Sequence, residues 1–405
     1  MAAKTVLISG IGIAGPTLAF WLRRAGFAPT LVERAPALRS GGYVIDFWGL
    51  GFDIAERMGL AAAIDRAGYH MRELRMVDRR GRRVTGFGTT VFSDLTGGRY
   101  VTIGRSDLSR LIFDRVKDDC EVTFDDEIVA LEQHSDGVRV RLKRGGERRF
   151  DLLIGADGLH SAVRRLAFGP PDRFERKLGY MVAAFACGGY RPRDEMVYVI
   201  HTEPGLQLGR FALHGDRTLF LFVFAGDTEQ PAETIGLDKQ KALLRERFGG
   251  VQWESARILD ELDRTQELYF DRVSQIAMEH WSSGRVALLG DAAFCISLLG
   301  GQGSALAMTA AYVLAGELAR SGGQYDAAFR NYDALLRDYI AEKQRAALRF
   351  AGFFAPKTRL KLFLLERAIK TFRIPGVARY AIGRDITDKL KLPDYQFAGG
   401  GQLAA

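Results

Sequence analysis

Glycines spaced for nucleotide binding lie close to the amino end of the chain. Gly10, Gly12 and Gly15 form the pattern GxGxxG within GIGIAG. The first glycine of this pattern permits a tight turn, the second lets the backbone approach a pyrophosphate, and the third lets a helix pack on a strand. N–H groups at the start of that helix then face the phosphates. The spacing predicts a dinucleotide site.

The elements around these glycines strengthen that prediction. Thr5–Ser9 is a short apolar strand, Pro16–Ala25 has helical periodicity, and Pro29–Glu33 is a second strand. A strand, helix and strand of about thirty residues is the context that a nucleotide site requires. Glu33 ends the second strand, where a carboxylate accepts hydrogen bonds from ribose hydroxyls and repels a 2'-phosphate. The sequence therefore disfavours NADP at this site.

A second motif is DLLIGADGLHSAVRR. Asp157 and Gly158 follow a buried strand and precede a helix that Ser161 is placed to cap. A turn at the end of a strand suits a ligand, although a plain connection from strand to helix has the same pattern.

The third motif combines GDAA with GGQG. Asp291 follows the strand Val286–Leu289, and a helix of small residues begins at Gly303. The Asp291 carboxylate can accept hydrogen bonds from a polyol such as a ribityl chain. N–H groups near Gln302 and Ser304 would favour negative charge on a reduced flavin ring. A glycine-rich helix start that serves packing alone is the alternative.

In this order the motifs resemble the class A flavin-dependent aromatic hydroxylases. This family has the para-hydroxybenzoate hydroxylase fold and includes tetracycline-inactivating and polyketide-tailoring monooxygenases. The resemblance covers nearly the whole chain. The segments that carry it are GIGIAG with Glu33 and Arg34, GGYVIDFWG, RSDLSRLI with Arg105, ADG around Asp157, and GDAA with GGQG.

The resemblance implies an α/β fold: a Rossmann-like FAD-binding domain of the GR2 type, a second domain built on a β-sheet, and carboxyl-terminal helices. The FAD-binding domain is expected to comprise 1–73, 102–178 and 277–345. The substrate domain is expected to comprise 74–101 and 179–276, followed by a helical segment at 346–405.

The resemblance also implies non-covalent FAD. Arg39 and Arg105 would lie near its phosphate or ribityl region, Asp157 would touch FAD and the nicotinamide nucleotide, and Asp291 would bind the ribityl chain. The full expected cofactor set is Gly10, Gly12, Ala14, Gly15, Glu33, Arg34, Arg39, Arg105, Asp157, Asp291, Gly301, Gln302, Gly303 and Ser304.

The reaction implied by the resemblance is the hydroxylation of an aromatic or polyketide-like molecule. NADPH or NADH reduces FAD, O2 forms a flavin C4a-hydroperoxide, and one oxygen atom passes to the substrate. No side chain is assigned as catalytic. Candidate substrate contacts, which also suit plain sheet packing, are Phe185, Tyr198, Gln207, Phe211, Phe222, Phe224 and Leu298.

The loop that follows GDAA departs from the family pattern. Many relatives carry prolines there, whereas this chain has Phe294, Cys295, Ile296, Ser297, Leu298 and Leu299. Because proline fixes φ and removes a backbone donor, its absence would change the flexibility of the loop and the exclusion of water near the flavin hydroperoxide, and so the efficiency of oxygenation. Two alternatives stay open: a flavin dehydrogenase or reductase without oxygen insertion, and a non-redox flavoprotein of natural-product biosynthesis.

Composition bounds the other functions. The chain has 405 residues, is 47% hydrophobic and has a formal net charge of +8. Its basic runs, Arg72–Arg83 and Lys357–Arg373, resemble no nucleic-acid recognition motif. The first interpretation of both runs is a solvated surface. The second is attraction of an anionic cofactor or substrate, and the third is contact with a membrane surface. Cysteines and histidines lack metal-ligand spacing, so no metal is expected. We expect a cytoplasmic protein without an integral membrane segment, because no apolar run approaches about 20 residues. The sequence leaves the oligomeric state open.

Overall fold

Strands and helices alternate at the amino end of the chain, and long strands dominate its middle. The computed structural model describes residues 4–39, 41–228, 234–372, 376–377 and 388–397. The strands are β1 (Thr5–Ser9), β2 (Ala28–Glu33), β3 (Val44–Trp48), β4 (Glu73–Val77), β5 (Arg83–Gly88), β6 (Tyr100–Gly104), β7 (Glu121–Phe124), β8 (Ile128–His134), β9 (Gly137–Leu142), β10 (Gly146–Phe150), β11 (Leu152–Gly155), β12 (Glu175–Gly188), β13 (Val197–Glu203), β14 (Leu206–Leu213), β15 (Arg217–Ala225), β16 (Tyr269–Ile276), β17 (Ser282–Ser283) and β18 (Val286–Leu288). The helices are α1 (Ala14–Arg24), α2 (Leu50–Arg57), α3 (Ala61–Ala67), α4 (Thr90–Leu95), α5 (Arg105–Asp114), α6 (Ala162–Phe168), α7 (Leu237–Phe248), α8 (Ser255–Arg264), α9 (Asp291–Phe294), α10 (Gly303–Arg320), α11 (Tyr325–Phe354) and α12 (Arg359–Thr371). Short 3-10 helices occupy Pro171–Arg173 and Leu298–Gly300.

The first sheet is built around β1. Its strand order is β17-β18-β11-β1-β2-β7, and every adjacent pair is parallel except β17 with β18. Val6 and Ile8 have no exposed surface and Leu7 is 1% exposed. Strands covered on both faces read as continuous apolar runs, which is why VLIS and LLIG have little polar alternation. The carboxyl ends of β1, β11 and β18 therefore share one edge.

The second large sheet has seven strands in the order β16-β12-β15-β14-β13-β4-β5. Neighbours are antiparallel apart from β13 and β4, which pair in parallel. Side chains alternate between the two faces of such a sheet. We call the face covered by α7 and α8 the outer face, and the face turned toward β3 the inner face.

Each face has its own apolar cluster. The outer cluster contains Phe185, Phe220, Phe222, Phe224, Leu244, Phe248 and Ile258. The inner cluster contains Tyr69, Ala184, Phe211 and Leu219, with Tyr43, Val44, Tyr198 and Tyr269 packed against them. The inner face therefore packs against Tyr43 and Val44 at β3, whereas the outer face packs against α7 and α8.

Many elements predicted from the sequence are confirmed. The predicted strand Thr5–Ser9 and the predicted helix Gly303–Arg320 have the bounds that the structure gives them. The first helix begins at Ala14, two residues before the proline taken as its start. The predicted antiparallel sheet in the middle of the chain is present, and the segment with DRRGRR adds β4 and β5 to its edge. The parallel pairing of β4 with β13 was not anticipated.

Strands β4 and β5, within 74–101 apart from Glu73, belong to the seven-stranded sheet together with β12 to β16. The expected boundary at 345 falls inside the continuous helix α11. Of the segment 346–405, residues 373–375, 378–387 and 398–405 lie outside the described residues. Within the described ranges, no helix has the length and apolar character needed to cross a bilayer.

Candidate functional site

The glycine loop between β1 and α1 is shaped by two close backbone approaches. Gly10 has φ of +109°, and a Cβ there would overlap the Ala156 carbonyl. A Cβ on Gly15 would overlap the Gly10 carbonyl oxygen. Gly12 has nothing within 4 Å of its Cβ direction, so its backbone faces open space. No side chain caps the start of α1 by a hydrogen bond, which leaves its first N–H groups available to a ligand.

Glu33 fixes the geometry of this loop. Its carboxylate accepts the Ile11 N–H at 2.9 Å and the Ala35 N–H at 3.0 Å. Each carboxylate oxygen has a further lone pair, so the side chain keeps the capacity to accept ribose hydroxyls. Ser109 of α5 donates to the Gly12 carbonyl at 3.1 Å and holds the loop from the other side.

Asp157 stabilises the start of α6. Its Oδ1 accepts the Ser161 hydroxyl at 2.5 Å, and its Oδ2 accepts the N–H of Ala162 at 2.8 Å and of Val163 at 3.2 Å. Ser161 is the N-cap and accepts the Arg164 N–H at 2.9 Å. Burial raises the pKa of Asp157, and these hydrogen bonds act in the opposite direction.

Arg164 joins the second motif to the third. The residue is 2% exposed, and its guanidinium donates to the Leu159 carbonyl at 2.6 Å and to the Ala292 carbonyl at 2.9 Å. Burial lowers the pKa of Arg164, because the charged form loses solvation. Sequence reasoning missed this residue: the RR pair was visible, but only the fold shows which arginine is buried.

Asp291 and Arg105 form the charged part of the site. Asp291 is the first residue of α9, directly after Gly290, whose φ is +62°. Burial raises the pKa of Asp291, and the positive charge of Arg105 acts against this shift. Burial by itself would lower the pKa of Arg105, but the electrostatic influence of Tyr43 and Asp291 outweighs it and the net shift is upward.

The start of α10 is a second open helix end. Its N-cap, Gln302, makes no side-chain capping hydrogen bond. Gly301 has φ of +66° and open space in its Cβ direction, and a Cβ on Gly303 would lie 3.6 Å from Asp291 Oδ1. Helix-start N–H groups and the third-motif carboxylate thus meet at one position.

These parts line one elongated cleft. It contains twelve of the fourteen cofactor residues predicted from the sequence: Gly10, Gly12, Ala14, Glu33, Arg34, Arg39, Arg105, Asp157, Asp291, Gly301, Gly303 and Ser304. Gly15 packs behind the loop, and Gln302 occupies the N-cap position of α10 without a side-chain hydrogen bond. The cleft is therefore assembled from segments about 290 positions apart in the sequence.

The chain matches the FAD binding domain family over residues 3–346. It belongs to this family. It is 32% identical over 393 residues to a flavin-dependent monooxygenase of an unknown prokaryotic organism, covering 96% of this chain and 98% of that relative. Its fold matches the tetracycline destructase Tet(51), with a TM-score of 0.82, 29% identity and coverage of 97% and 100% of the two chains. It also matches HpxO of Klebsiella pneumoniae, solved with FAD and uric acid, with a TM-score of 0.77, 25% identity and coverage of 95% and 96%. The chain is an FAD-dependent monooxygenase with the para-hydroxybenzoate hydroxylase fold, as its motifs predicted.

The cleft suits FAD in shape and in chemistry. The exposed Gly12 backbone and the uncapped start of α1 match a pyrophosphate, and Glu33 matches an adenosine ribose. At the other end, the uncapped start of α10 matches the electron-rich edge of a flavin. Among the described residues, no group of three His, Cys, Asp or Glu side chains is placed to hold a metal ion.

Several residues that line the cleft are outside the predicted cofactor set: Tyr43, Ser109, His160, Tyr269, Asp271 and Cys295. Tyr43, Ser109, His160 and Cys295 lie within motif segments or the altered loop, whereas Tyr269 and Asp271 had no sequence signal. His160 Nε2 lies 3.2 Å from each Asp271 carboxylate oxygen, which connects the second motif to β16 of the other domain. Burial raises the pKa of Tyr43 to about 12, so its phenol stays protonated at neutral pH. The contact between His160 and Asp271 joins residues 111 positions apart, and the spacing of residues along the chain does not indicate such partners.

The seven candidate substrate residues lie on both faces of the sheet. Tyr198, Phe211 and Gln207 are on the inner face, and Leu298 lines the FAD cleft. Phe185, Phe222 and Phe224 are on the outer face, at most 2% exposed, and the Phe222 ring lies 4.9 Å from that of Phe248. The structure does not bring these three to the cleft, because alternation along each strand directs them to α7 and α8.

The loop without prolines is held by two glutamines. Gln275 Nε2 donates to the Ile296 carbonyl at 3.0 Å and to the Gln344 carbonyl at 2.9 Å. Gln344 Nε2 donates to the Ile276 carbonyl at 2.7 Å and to the Cys295 carbonyl at 3.2 Å. Phe294, Cys295, Ile296 and Ser297 are buried. Side-chain hydrogen bonds from β16 and α11 thus fix this loop.

Replacing Arg164 by methionine tests the connection between the motifs. The variant keeps an apolar stem of similar length but leaves two carbonyls without their charged donor, so we expect a loss of about 3 kcal/mol in the free energy of unfolding and weaker FAD binding. Urea unfolding and FAD titration measure the two effects. The matched control is Arg176→Met, at an exposed position of β12. Equal effects of the two substitutions would contradict the role of Arg164.

Replacing Asp291 by asparagine tests the charge at the cleft. The raised pKa means that folded, FAD-free protein holds a proton on Asp291 at pH values where the unfolded chain has released it. Stability therefore falls as pH rises from the usual value of 3.8 through the raised pKa. We expect the FAD-free Asp291→Asn variant to be more stable than wild type at neutral pH, and this difference to vanish below that usual value. Urea unfolding across pH measures it, and FAD titration should show weaker binding. If raising the pH favoured wild type instead, attraction to Arg105 would outweigh burial.

Proposed function

We propose that this FAD-dependent monooxygenase uses NADPH or NADH and O2 to hydroxylate an aromatic or polyketide-like small molecule. The observation that carries the proposal is the continuity between the FAD cleft and the inner face. Tyr43, Tyr269 and Leu298 line the cleft and also pack in the apolar clusters of that face. A planar apolar molecule held there would lie beside the flavin end of the cleft.

We assign the cofactor contacts as follows. The loop Gly10–Gly15 with Ala14 would receive the pyrophosphate at the start of α1, and Glu33 the adenosine ribose, with Arg34 and Arg39 beside them. Arg105 and Asp291 would hold the ribityl region. Gly301, Gln302, Gly303 and Ser304 would place helix-start N–H groups at the flavin ring, and Asp157 would act mainly by ordering the start of α6. We propose that the FAD-binding domain comprises 1–73, 102–178 and 277–345, and that the substrate domain comprises 74–101 and 179–276.

When bound, FAD supplies the two-electron chemistry that activates O2 for transfer of one oxygen atom. The protein's part is to bind, to orient and to exclude water. The buried loop Phe294–Ser297 and the apolar inner face would keep solvent from the reacting region. Uncapped N–H groups at the start of α10 would stabilise negative charge on the flavin.

The substrate class follows from the lining of the inner face. Tyr43 and Tyr269, which both line the cleft, have ring centroids 5.2 Å apart at an interplanar angle of 61°. Aromatic walls favour flat, largely apolar ligands through edge and stacked contacts. Two structural relatives carry the names of ring compounds: one is a tetracycline destructase, and the other is HpxO in complex with FAD and uric acid.

The reaction is tested with purified holoenzyme, a panel of phenolic and polycyclic compounds, and each nicotinamide nucleotide. We expect one or more compounds to accelerate NAD(P)H oxidation and to gain one atom of oxygen from ¹⁸O2, seen by mass spectrometry. Reduction under anaerobic conditions, followed by mixing with O2, separates the reductive half from the oxygen half.

The same assay distinguishes the alternatives. Anaerobic turnover with an artificial electron acceptor, without ¹⁸O in any product, would favour a dehydrogenase or reductase. Conversion that persists with a redox-inactive flavin analogue would favour a non-redox role. Either outcome contradicts the proposal.

Replacing Gln275 by methionine tests how the loop affects oxygen transfer. The variant loses the hydrogen bond to the Ile296 carbonyl, so we expect a looser loop and more water near the flavin. The ratio of hydroxylated product to NAD(P)H consumed should fall about threefold or more, with hydrogen peroxide as the balance. The control is Gln133→Met, at an exposed position of β8 where the side chain bonds Ser283 and Arg285 and makes no hydrogen bond to the loop. An unchanged ratio in the Gln275 variant would show that the loop needs no such support.

A further inference from the structure

Helix α12 has two apolar sides, and one of them faces solvent. Leu362, Leu365 and Ile369 are half-buried, and the helix contacts β5 and β13. Leu360, Phe363 and Leu364 are 67%, 50% and 56% exposed. Spacing of three and four residues places these three together on the side opposite the half-buried ones. We call Leu360, Phe363 and Leu364 the outer stripe.

The outer stripe is unusual for this molecule. Large apolar side chains that are exposed elsewhere among the described residues are Val129, Leu166 and Leu348, which lie in three separate elements. Single exposed apolar residues are ordinary, whereas a contiguous group marks a surface that meets something else.

Positive charge flanks the outer stripe. Arg359, Lys361, Arg367 and Lys370 are all exposed, and the Arg367 guanidinium carbon lies 5.0 Å from the centroid of the Phe363 ring. The only acidic residue between Arg359 and Lys370 in the sequence is the half-buried Glu366. On a helix, Arg359 and Lys370 lie along one margin of the stripe and Lys361 along the other. An apolar stripe with basic margins is the arrangement of helices that lie in a membrane interface.

We propose that α12 docks this enzyme on an anionic lipid surface through the outer stripe. The basic margins match phosphate headgroups, and the stripe matches the boundary between headgroups and acyl chains. A second copy of the chain fits less well, because facing helices would bring two sets of the same positive charges together. The proposal concerns attachment to one side of a bilayer and involves no span.

The position of α12 gives the attachment a consequence for access. The chain before it is fixed at one end of the sheet, where the Gly205 N–H donates to the Pro356 carbonyl at 2.8 Å. At the end of the helix, the ring of Phe372 lies 5.6 Å from that of Phe87 on β5. The helix thus lies over the part of the seven-stranded sheet between β13 and the edge strand β5. If the proposed function holds, lipid would lie next to one wall of the substrate space, which suits a lipophilic substrate.

The experiment is vesicle co-sedimentation of the FAD-loaded enzyme. Vesicles contain phosphatidylcholine alone or with phosphatidylglycerol. We expect binding to the anionic vesicles, weak binding to the neutral ones, and loss of binding as salt is raised, because salt screens charges beyond about 10 Å. The triple variant Leu360→Ser, Phe363→Ser and Leu364→Ser should partition about tenfold less.

Two further variants keep the outcome decisive. Val129→Ser with Leu166→Ser removes exposed apolar side chains elsewhere and should bind like wild type. Lys361→Gln with Lys370→Gln should weaken binding to anionic vesicles alone, and it decides the matter if the triple variant loses its FAD absorbance. Wild-type protein that stays in the supernatant with anionic vesicles overturns the proposal, as does undiminished binding of the triple variant and the double lysine variant when both are correctly folded. Dimers that the triple variant abolishes, in the absence of vesicle binding, would assign the stripe to a second copy. None of these outcomes depends on oxygenase activity.

Discussion

The site depends on three parallel strands that end at one edge of the first sheet. β1 lies between β11 and β2, and β11 lies beside β18, so Gly10, Asp157 and Asp291 emerge close together although the chain separates them widely. Ligands of open α/β sheets bind outside the carboxyl ends of the strands for this reason. Gly10 makes the approach possible, because any Cβ there would meet the Ala156 backbone. The position of every residue proposed to contact the cofactor thus depends on the packing of these strands.

Polar side chains then hold the three turns in place. Asp157 orders α6, and the buried Arg164 bridges from that turn to the turn at Ala292. Such interactions are costly to leave incomplete in a buried site, which favours a single arrangement. Asp291 works in the other direction: burial raises the pKa of its carboxyl and so disfavours the charged form. If Asp291 binds the ribityl chain as proposed, that contact uses a side chain whose charge is unfavourable in the FAD-free protein.

The second sheet divides its two faces between stability and recognition. The outer face is closed by α7 and α8 in an aromatic core, whereas the inner face opens toward the cleft with tyrosines. The loop after GDAA lies between the cleft and this sheet. Gln275 of β16 and Gln344 of α11 hold it there by hydrogen bonds to its backbone carbonyls. In this chain, side-chain amides order a loop in which no proline fixes φ.

The sequence by itself determined the local elements and the class of the protein. Strand, turn and helix signals around GIGIAG, ADG and GDAA are short-range, so Gly10, Glu33, Asp157 and Asp291 could be identified before any fold was known. Tertiary structure decided what depends on distant pairing. The register of β12 to β15 sent Phe222 outward and Phe211 inward, and a one-residue shift would have reversed both. Three other features likewise join residues far apart in the chain: the hydrogen bonds of buried Arg164, the contact of His160 with Asp271, and the parallel pairing of β4 with β13. Periodicity in the sequence carries no information about such partners.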